Sequence, residues 1–257
     1  MNTSMRITLP VICTTCLLML TGCGGGGDST PAVSSGAAEG VYGGNLTGST
    51  SKNFQMLVLE NDEIWSMYGT QTSSQFLVAG FVQGNGTSSN GSFTSSNVRD
   101  FGYAPALSGT ASATYSVVAK TMSGGFSAGG GTVSFNGGPI AGSLYDYNAP
   151  ASLSAVTGNW SLTALTGESV SVAIASSGLF SATTSLGCKF SGSLTPRPSG
   201  KNVFNLSLTF GASPCALPGQ TATGISLAYP LTTGQTQLIM AGANSTRTIG
   251  TAAFGTR

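Results

Sequence analysis

The sequence predicts an all-β fold of two tandem antiparallel units, each an up-and-down barrel or a curled meander of about eight strands. Short apolar runs recur between turns rich in Gly, Asn, Ser and Pro. Helix formers are scarce, and no stretch keeps the period of about 3.6 residues that an amphipathic helix requires. A weak internal repeat relates the two halves of the chain. A single two-sheet sandwich shared by both halves is the alternative.

Residues 1–22 have the layout of a secretory signal. The positively charged start contains Arg6, and the apolar stretch after it is shorter than the roughly 20 apolar residues of a spanning helix. Leu20-Thr21-Gly22-Cys23 resembles the lipobox of bacterial lipoproteins. The resemblance implies cleavage before Cys23, a diacylglycerol thioether on its sulfur, and an acyl chain of the palmitate kind on the new N-terminus. An ordinary secretory signal with a chance cysteine is the alternative.

Residues 23–38 are predicted to form a flexible tether behind the lipid, because Gly24–Gly27 and a Ser/Ala stretch follow Cys23. Such a tether has a reach of roughly 20–25 Å. In enterobacterial lipoproteins an Asp directly after the lipidated cysteine retains the protein in the inner membrane. Gly24 occupies that position here, so the resemblance favours the outer membrane, with the mature chain facing the periplasm or the cell surface.

The boundary between the β units falls at Asn148–Ser152, where Asn, Pro and Ser interrupt the strand pattern. We predict a first β unit over residues 39–148 and a second over residues 152–257. Closing each unit into a barrel would remove exposed strand edges. Strands of the second unit are predicted at 159–165, 169–174, 179–184, 189–195, 203–210, 222–229, 237–241 and 248–254.

The internal repeat aligns a strand and a hairpin in the two units. Gly40-Val41-Tyr42 corresponds to Gly158-Asn159-Trp160, each opening a strand with an aromatic residue. In the hairpin that follows, an offset of 115 residues aligns Leu57 with Val172 and Trp65 with Phe180. The paired residues are expected to hold equivalent places in the two sheets.

The five cysteines divide among three roles. Two lie in the signal segment, and Cys23 is the predicted lipidation site. Cys188 and Cys215 remain, and an oxidising compartment favours a disulfide between them as a structural cross-link. Because the chain has no His, a zinc site on these two thiols is not expected. No cofactor and no metal are predicted.

The lack of His also argues against catalysis, because it removes the usual general base at neutral pH. A Ser or Thr nucleophile activated by Lys or a carboxylate stays open, yet no spacing points to one. Charged residues make up only 7% of the chain, and without Arg6 the cations and acids balance. We therefore predict a non-enzymatic protein with no basic stripe for nucleic acid and no acidic calcium-binding cluster.

Two clusters admit both a chemical and a structural interpretation. Glu60, Asp62 and Glu63 could supply paired carboxylates, but they flank a predicted hairpin turn, where we expect them to be solvated. Four aromatic residues of the first unit either line a ligand cavity or fill a core, and we favour core packing; they are Trp65, Tyr68, Phe76 and Phe81.

Three stretches of the mature chain, residues 78–95, Gly187–Gly192 and Asn202–Leu206 leading to Cys215, resemble uncharacterised β-rich outer-membrane lipoproteins of proteobacteria. That family implies no activity. The closing residues Gly250–Gly255 are similar to the last strand of transferrin-binding-protein-like barrel lipoproteins, which implies a barrel.

These patterns together predict a non-enzymatic outer-membrane lipoprotein with an envelope structural or surface-interaction role. Its predicted partner is the membrane, through the N-terminal lipid. One alternative is a lipocalin-like carrier, because an eight-stranded barrel is just wide enough for one small apolar ligand. The other is a surface adhesin or host-protein binder. No nucleic-acid partner is expected.

Overall fold

The computed structural model describes residues 37–257 and confirms the all-β class. The strands form two closed antiparallel barrels, one after the other along the chain. The single two-sheet sandwich is therefore wrong. The predicted signal segment at 1–22, the predicted lipidation site Cys23 and the predicted tether as far as residue 36 lie outside the described residues.

The first barrel has eight wall strands and one short accessory strand. The strands are β1 (Gly40–Thr47), β2 (Asn53–Val58), β3 (Glu63–Gln71), β4 (Phe76–Asn85), β5 (Thr87–Ser89), β6 (Ser92–Asp100), β7 (Leu107–Ser116), β8 (Thr121–Ala128) and β9 (Gly131–Gly138). Around the wall their order is β4-β3-β2-β1-β9-β8-β7-β6. The barrel closes where β4 meets β6, with Val82 opposite Asp100 and Gln83 opposite Arg99. Strand β5 pairs with β6 beside this seam.

The second barrel is a simple meander of eight strands that closes between its first and last members. Its strands lie within two residues of the predicted bounds, because their alternation of buried and exposed residues is plain in the sequence. They are β10 (Gly158–Ala164), β11 (Ser169–Ile174), β12 (Leu179–Thr184), β13 (Lys189–Pro196), β14 (Phe204–Phe210), β15 (Thr221–Pro230), β16 (Thr236–Ala243) and β17 (Gly250–Thr256).

The internal repeat is present, but the predicted alignment of its hairpins is wrong by one residue. Met56 lies opposite Tyr42, and Val172 lies opposite Trp160, so Met56 and Val172 are the equivalent pair. Leu57, the predicted counterpart of Val172, points out of the barrel. Successive side chains of a strand point to opposite faces, so a shift of one residue exchanges inside and outside. The predicted pairing of Trp65 with Phe180 fails for the same reason.

An apolar interface joins the outer faces of the two barrels. It is formed by β2, β3 and β4 of the first barrel and by β15, β16 and β17 of the second. Trp65 stacks on Phe81 with ring centroids 5.7 Å apart, and Phe81 stacks on Phe101 at 4.7 Å. Burial on both faces explains why β2 ends in the uninterrupted apolar run Met56-Leu57-Val58. The main apolar residues of the interface are Leu57, Leu59, Trp65, Met67, Phe76 and Phe81 from one barrel, and Ile225, Tyr229, Ile239, Ala241 and Phe254 from the other.

Hydrogen bonds cross the same interface. The fully buried amide of Gln237 pairs with the backbone of Phe76, donating to its carbonyl at 2.8 Å and accepting from its N–H at 3.0 Å. Arg247 donates to the Gln83 side chain at 2.8 Å. The described part of the chain is accordingly one compact unit.

One aromatic residue near the start of each barrel is fixed in the same way. The Tyr42 hydroxyl donates to the Ala38 carbonyl at 2.8 Å, and the Trp160 indole N–H donates to the Val156 carbonyl at 2.7 Å. Val156 ends a single helical turn, α1 (Leu153–Val156). The guanidinium of Arg257 lies 4.0 Å above the Trp160 ring. The two barrels thus share a device for fixing the first strand.

Candidate ligand-binding cavity

The first barrel encloses a cavity of about 370 Å³. Small-molecule sites typically occupy roughly 300–1,000 Å³. The cavity extends from the barrel interior to the loops at one end, which we call the mouth; the mouth contains residues 48–51, Tyr103 and residues 131–132. Its apolar wall includes Leu46, Phe54, Met56, Ile64, Val82, Phe93, Ala111, Ala113, Met122, Phe126 and Phe135.

Small residues on one side of the first barrel create this space. Strand β7 places the small side chains of Ala111 and Ala113 inward. The second barrel is filled by side chains that include Trp160, Phe180 and Met240, and it keeps a cavity of about 150 Å³. The first barrel is therefore the one with room for a ligand.

The end opposite the mouth is closed by a buried polar cluster. Asp62 is fully buried and accepts hydrogen bonds from the N–H of Ser88 at 2.9 Å and from its hydroxyl. The same hydroxyl accepts from the N–H of Ala38 at 3.0 Å. Ala38, which the sequence placed in the tether, is thus fully buried in the barrel floor. Burial, with Tyr115 and Glu39 nearby, raises the pKa of Tyr42 to about 12.

The prediction that the acidic turn is solvated is wrong, because the turn lies against the second barrel. Glu60 pairs with Arg197 of that barrel at 2.8 Å, and Asp62 belongs to the floor. Glu63 accepts from the Trp65 indole at 2.8 Å. The three carboxylates point to separate partners and do not converge on one site.

A phenol and a carboxylate provide the polar part of the cavity wall. Tyr68 faces inward from β3 and donates to Oδ1 of Asp100 at 2.7 Å, and the N–H of Gly102 donates to the same oxygen at 2.9 Å. Asp100 is only 8% exposed. Burial, and then the hydrogen bond to Asp100, raise the pKa of Tyr68 above its usual range, so the phenol stays a donor.

Two glycines make the room that the Tyr68 ring needs. A Cβ on Gly80 would lie 2.3 Å from the Tyr68 hydroxyl oxygen, and one on Gly102 would lie 1.8 Å from it. Neither distance is compatible with a side chain. The position of Tyr68 beside Asp100 therefore depends on glycine at both places.

The four aromatic residues singled out from the sequence separate into two groups. Tyr68 lines the cavity, whereas Trp65, Phe76 and Phe81 point outward and are buried between the barrels. Sequence reasoning missed Asp100 altogether. The sequence feature that indicates Asp100 is its spacing: it lies two positions after the inward-facing Val98, so the strand places an acidic residue on its apolar face.

Cys188 and Cys215 lie in the second barrel with their sulfurs at bonding distance and their Cα atoms 4.5 Å apart. They connect the start of β13 to the loop between β14 and β15. Within residues 37–257, no group of three or more His, Cys, Asp or Glu is placed to hold a metal ion. Over the same range, no helix has the length and apolar character needed to cross a membrane.

Comparison with known proteins gives a distant structural neighbour and no sequence match. No protein-family model and no curated protein sequence matches this chain. A crystal structure of a protein of unknown function from the DUF3598 family of Nostoc punctiforme PCC 73102 is similar at 13% sequence identity and a TM-score of 0.24. The match covers 85% of this chain and 94% of that one.

Proposed function

We propose that this protein is a non-enzymatic carrier that holds a small, mostly apolar ligand inside its first barrel. The observation that carries the proposal is the cavity of about 370 Å³, walled by apolar side chains, in one barrel of a pair. A purely structural role would need no such internal volume. The cavity therefore favours ligand carriage over an envelope structural role or adhesion.

Filling the cavity tests this proposal. N-phenylnaphthylamine is a neutral, apolar fluorophore that brightens on leaving water, and we expect the purified protein to bind it. Ala113 faces the cavity, and its neighbour Ser112 faces solvent on the same strand. Ala113→Phe is expected to abolish the fluorescence gain, and Ser112→Phe is expected to preserve it. Equal binding by both variants would place the fluorophore elsewhere and count against the proposal.

We also propose that the chain is held at a membrane by a lipid on Cys23. The support is the sequence Leu20-Thr21-Gly22-Cys23 at the end of an apolar run. Two or three acyl chains hold a protein stably at a bilayer, whereas one holds it marginally. Cys23→Ala is expected to move the protein from the outer-membrane fraction to the soluble fraction. Unchanged fractionation would refute the anchor and leave the carrier proposal intact.

A further inference from the structure

We infer that the ligand of the first barrel carries a cationic amine on an apolar body, and that Asp100 binds the amine. The inference rests on the proposed carrier function and adds the chemical class of the ligand. It follows from the placement of the Asp100 carboxylate in a cavity wall that contains no cation among its described residues. Only one of the two carboxylate oxygens is hydrogen-bonded to the described part of the protein.

Charge in the cavity wall is of one sign. Among the described residues that line the cavity, Asp100 is the one Asp or Glu, and the lining contains no Lys or Arg. A ligand with a carboxylate would bring a second negative charge beside Asp100 in a poorly solvated space, which is costly. A ligand with an amine would instead form an ion pair. The wall therefore selects against fatty acids.

One oxygen of Asp100 is left for the ligand. Oδ1 accepts from Tyr68 and from the N–H of Gly102. No hydrogen bond within residues 37–257 reaches Oδ2, and the residue lines the cavity. An ionised carboxylate accepts about four hydrogen bonds. Asp100 therefore keeps free acceptor capacity in the wall of the cavity.

The carboxylate is also held in place. Its side chain is fixed by two donors to one oxygen, and the phenol that supplies one of them is seated by Gly80 and Gly102. A fixed carboxylate binds a cationic donor more strongly than a neutral one, because the two opposite charges attract each other and water screens them little in a buried site. An amine should accordingly bind better than an alcohol of the same body.

Three ligands that share a linear alkyl chain and differ in their head group test the inference. They are decylamine, decanol and decanoate, each titrated as a competitor of N-phenylnaphthylamine. We expect decylamine to bind at least about tenfold more tightly than either of the others. In Asp100→Asn the amide oxygen keeps both donors, and its NH₂ replaces the acceptor Oδ2. That variant is expected to lose the preference for the amine. Asp146→Asn, at an exposed position outside this cavity, should retain it.

Tyr68→Phe provides a second variant if Asp100→Asn fails to fold. It removes one donor to Oδ1 and leaves the carboxylate, so the amine preference should fall without vanishing. If the fluorophore binds and the three competitors displace it with equal affinity, the inference is overturned and the carrier proposal stands. The same holds if the amine preference survives in Asp100→Asn. Failure of the fluorophore and all three competitors to bind would instead overturn the carrier proposal.

Discussion

The hydroxyl of Tyr229 in the second barrel donates a hydrogen bond to Oε1 of Gln55 in the first, over 2.7 Å. Both residues are buried between the barrels. The phenol oxygen also lies 3.2 Å from Oε1 of Gln237, whose amide pairs with the Phe76 backbone. This contact therefore links three segments of the chain within the interface.

Removing the hydroxyl leaves Oε1 of Gln55 without its donor, whereas Oε1 of Gln237 keeps the Phe76 N–H. Tyr229→Phe is expected to lower the free energy of unfolding by about 1–3 kcal/mol, since an orphaned buried polar group pays its desolvation cost. Urea unfolding followed by tryptophan fluorescence measures the change. Tyr103→Phe is the matched control, because Tyr103 is 57% exposed, and we expect it to stay within about 0.5 kcal/mol of the parent. Equal stabilities of the two variants would contradict a structural role for the contact.

Removing one member of the Glu60–Arg197 pair is expected to cost more stability than the intact pair supplies, because the remaining charge loses its partner. Arg197→Met removes the partner of Glu60, whose Oε2 is buried and has no hydrogen bond in the described structure. We expect a loss of about 1–3 kcal/mol, with much of it recovered in the double variant Glu60→Gln/Arg197→Met. Lys189→Met, at an exposed position, is the control. Additive effects of the two substitutions would show that the pair is not coupled.

Loss of the Cys188–Cys215 link should destabilise the second barrel. Their separation of 27 residues corresponds to about 3–4 kcal/mol on the loop-entropy estimate. The variant Cys188→Ala/Cys215→Ala should unfold at a correspondingly lower urea concentration. Reductant should lower the midpoint of the parent protein and leave that of the variant unchanged. Alkylation of both cysteines in unreduced, denatured protein would show that the link does not form.

Tyrosine ionisation should make the fold sensitive to alkali. Tyr42 has a pKa of about 12 in the folded barrel, against 10.0 in its unperturbed state. Between these values the unfolded chain binds fewer protons than the folded one, so stability falls as the pH rises. Below pH 10 the contribution is fully present. Urea midpoints measured from pH 8 to pH 11.5 should decline less steeply in Tyr42→Phe than in the parent. A decline of the same steepness would contradict this assignment.

The second barrel was predictable from the sequence because its strands have one face inside and one mostly outside. Val170, Val172 and Ile174 alternate with polar residues, and the period of two is plain. Strand β2 lacks this contrast: Met56 faces the cavity, and Leu57 faces the other barrel. An apolar run on both faces carries no information about register, which is why the predicted hairpin alignment was one residue out.

The candidate site was less predictable because it depends on small residues that leave space in the barrel wall. Ala113 contributes space, and Gly102 contributes the gap that seats a phenol ring. In the sequence both look like ordinary strand and turn residues. The acidic turn was misinterpreted for a related reason: its environment is set by the second barrel, more than a hundred residues away in the chain, and no local pattern reports it.

The burial of Ala38 in the barrel floor has a practical consequence. The polypeptide enters the first barrel at its sealed end, far from the loops through which a ligand would pass. Immobilisation through the N-terminal segment, on a sensor chip or by a fused carrier protein, should therefore leave exchange with the bulk solution unhindered.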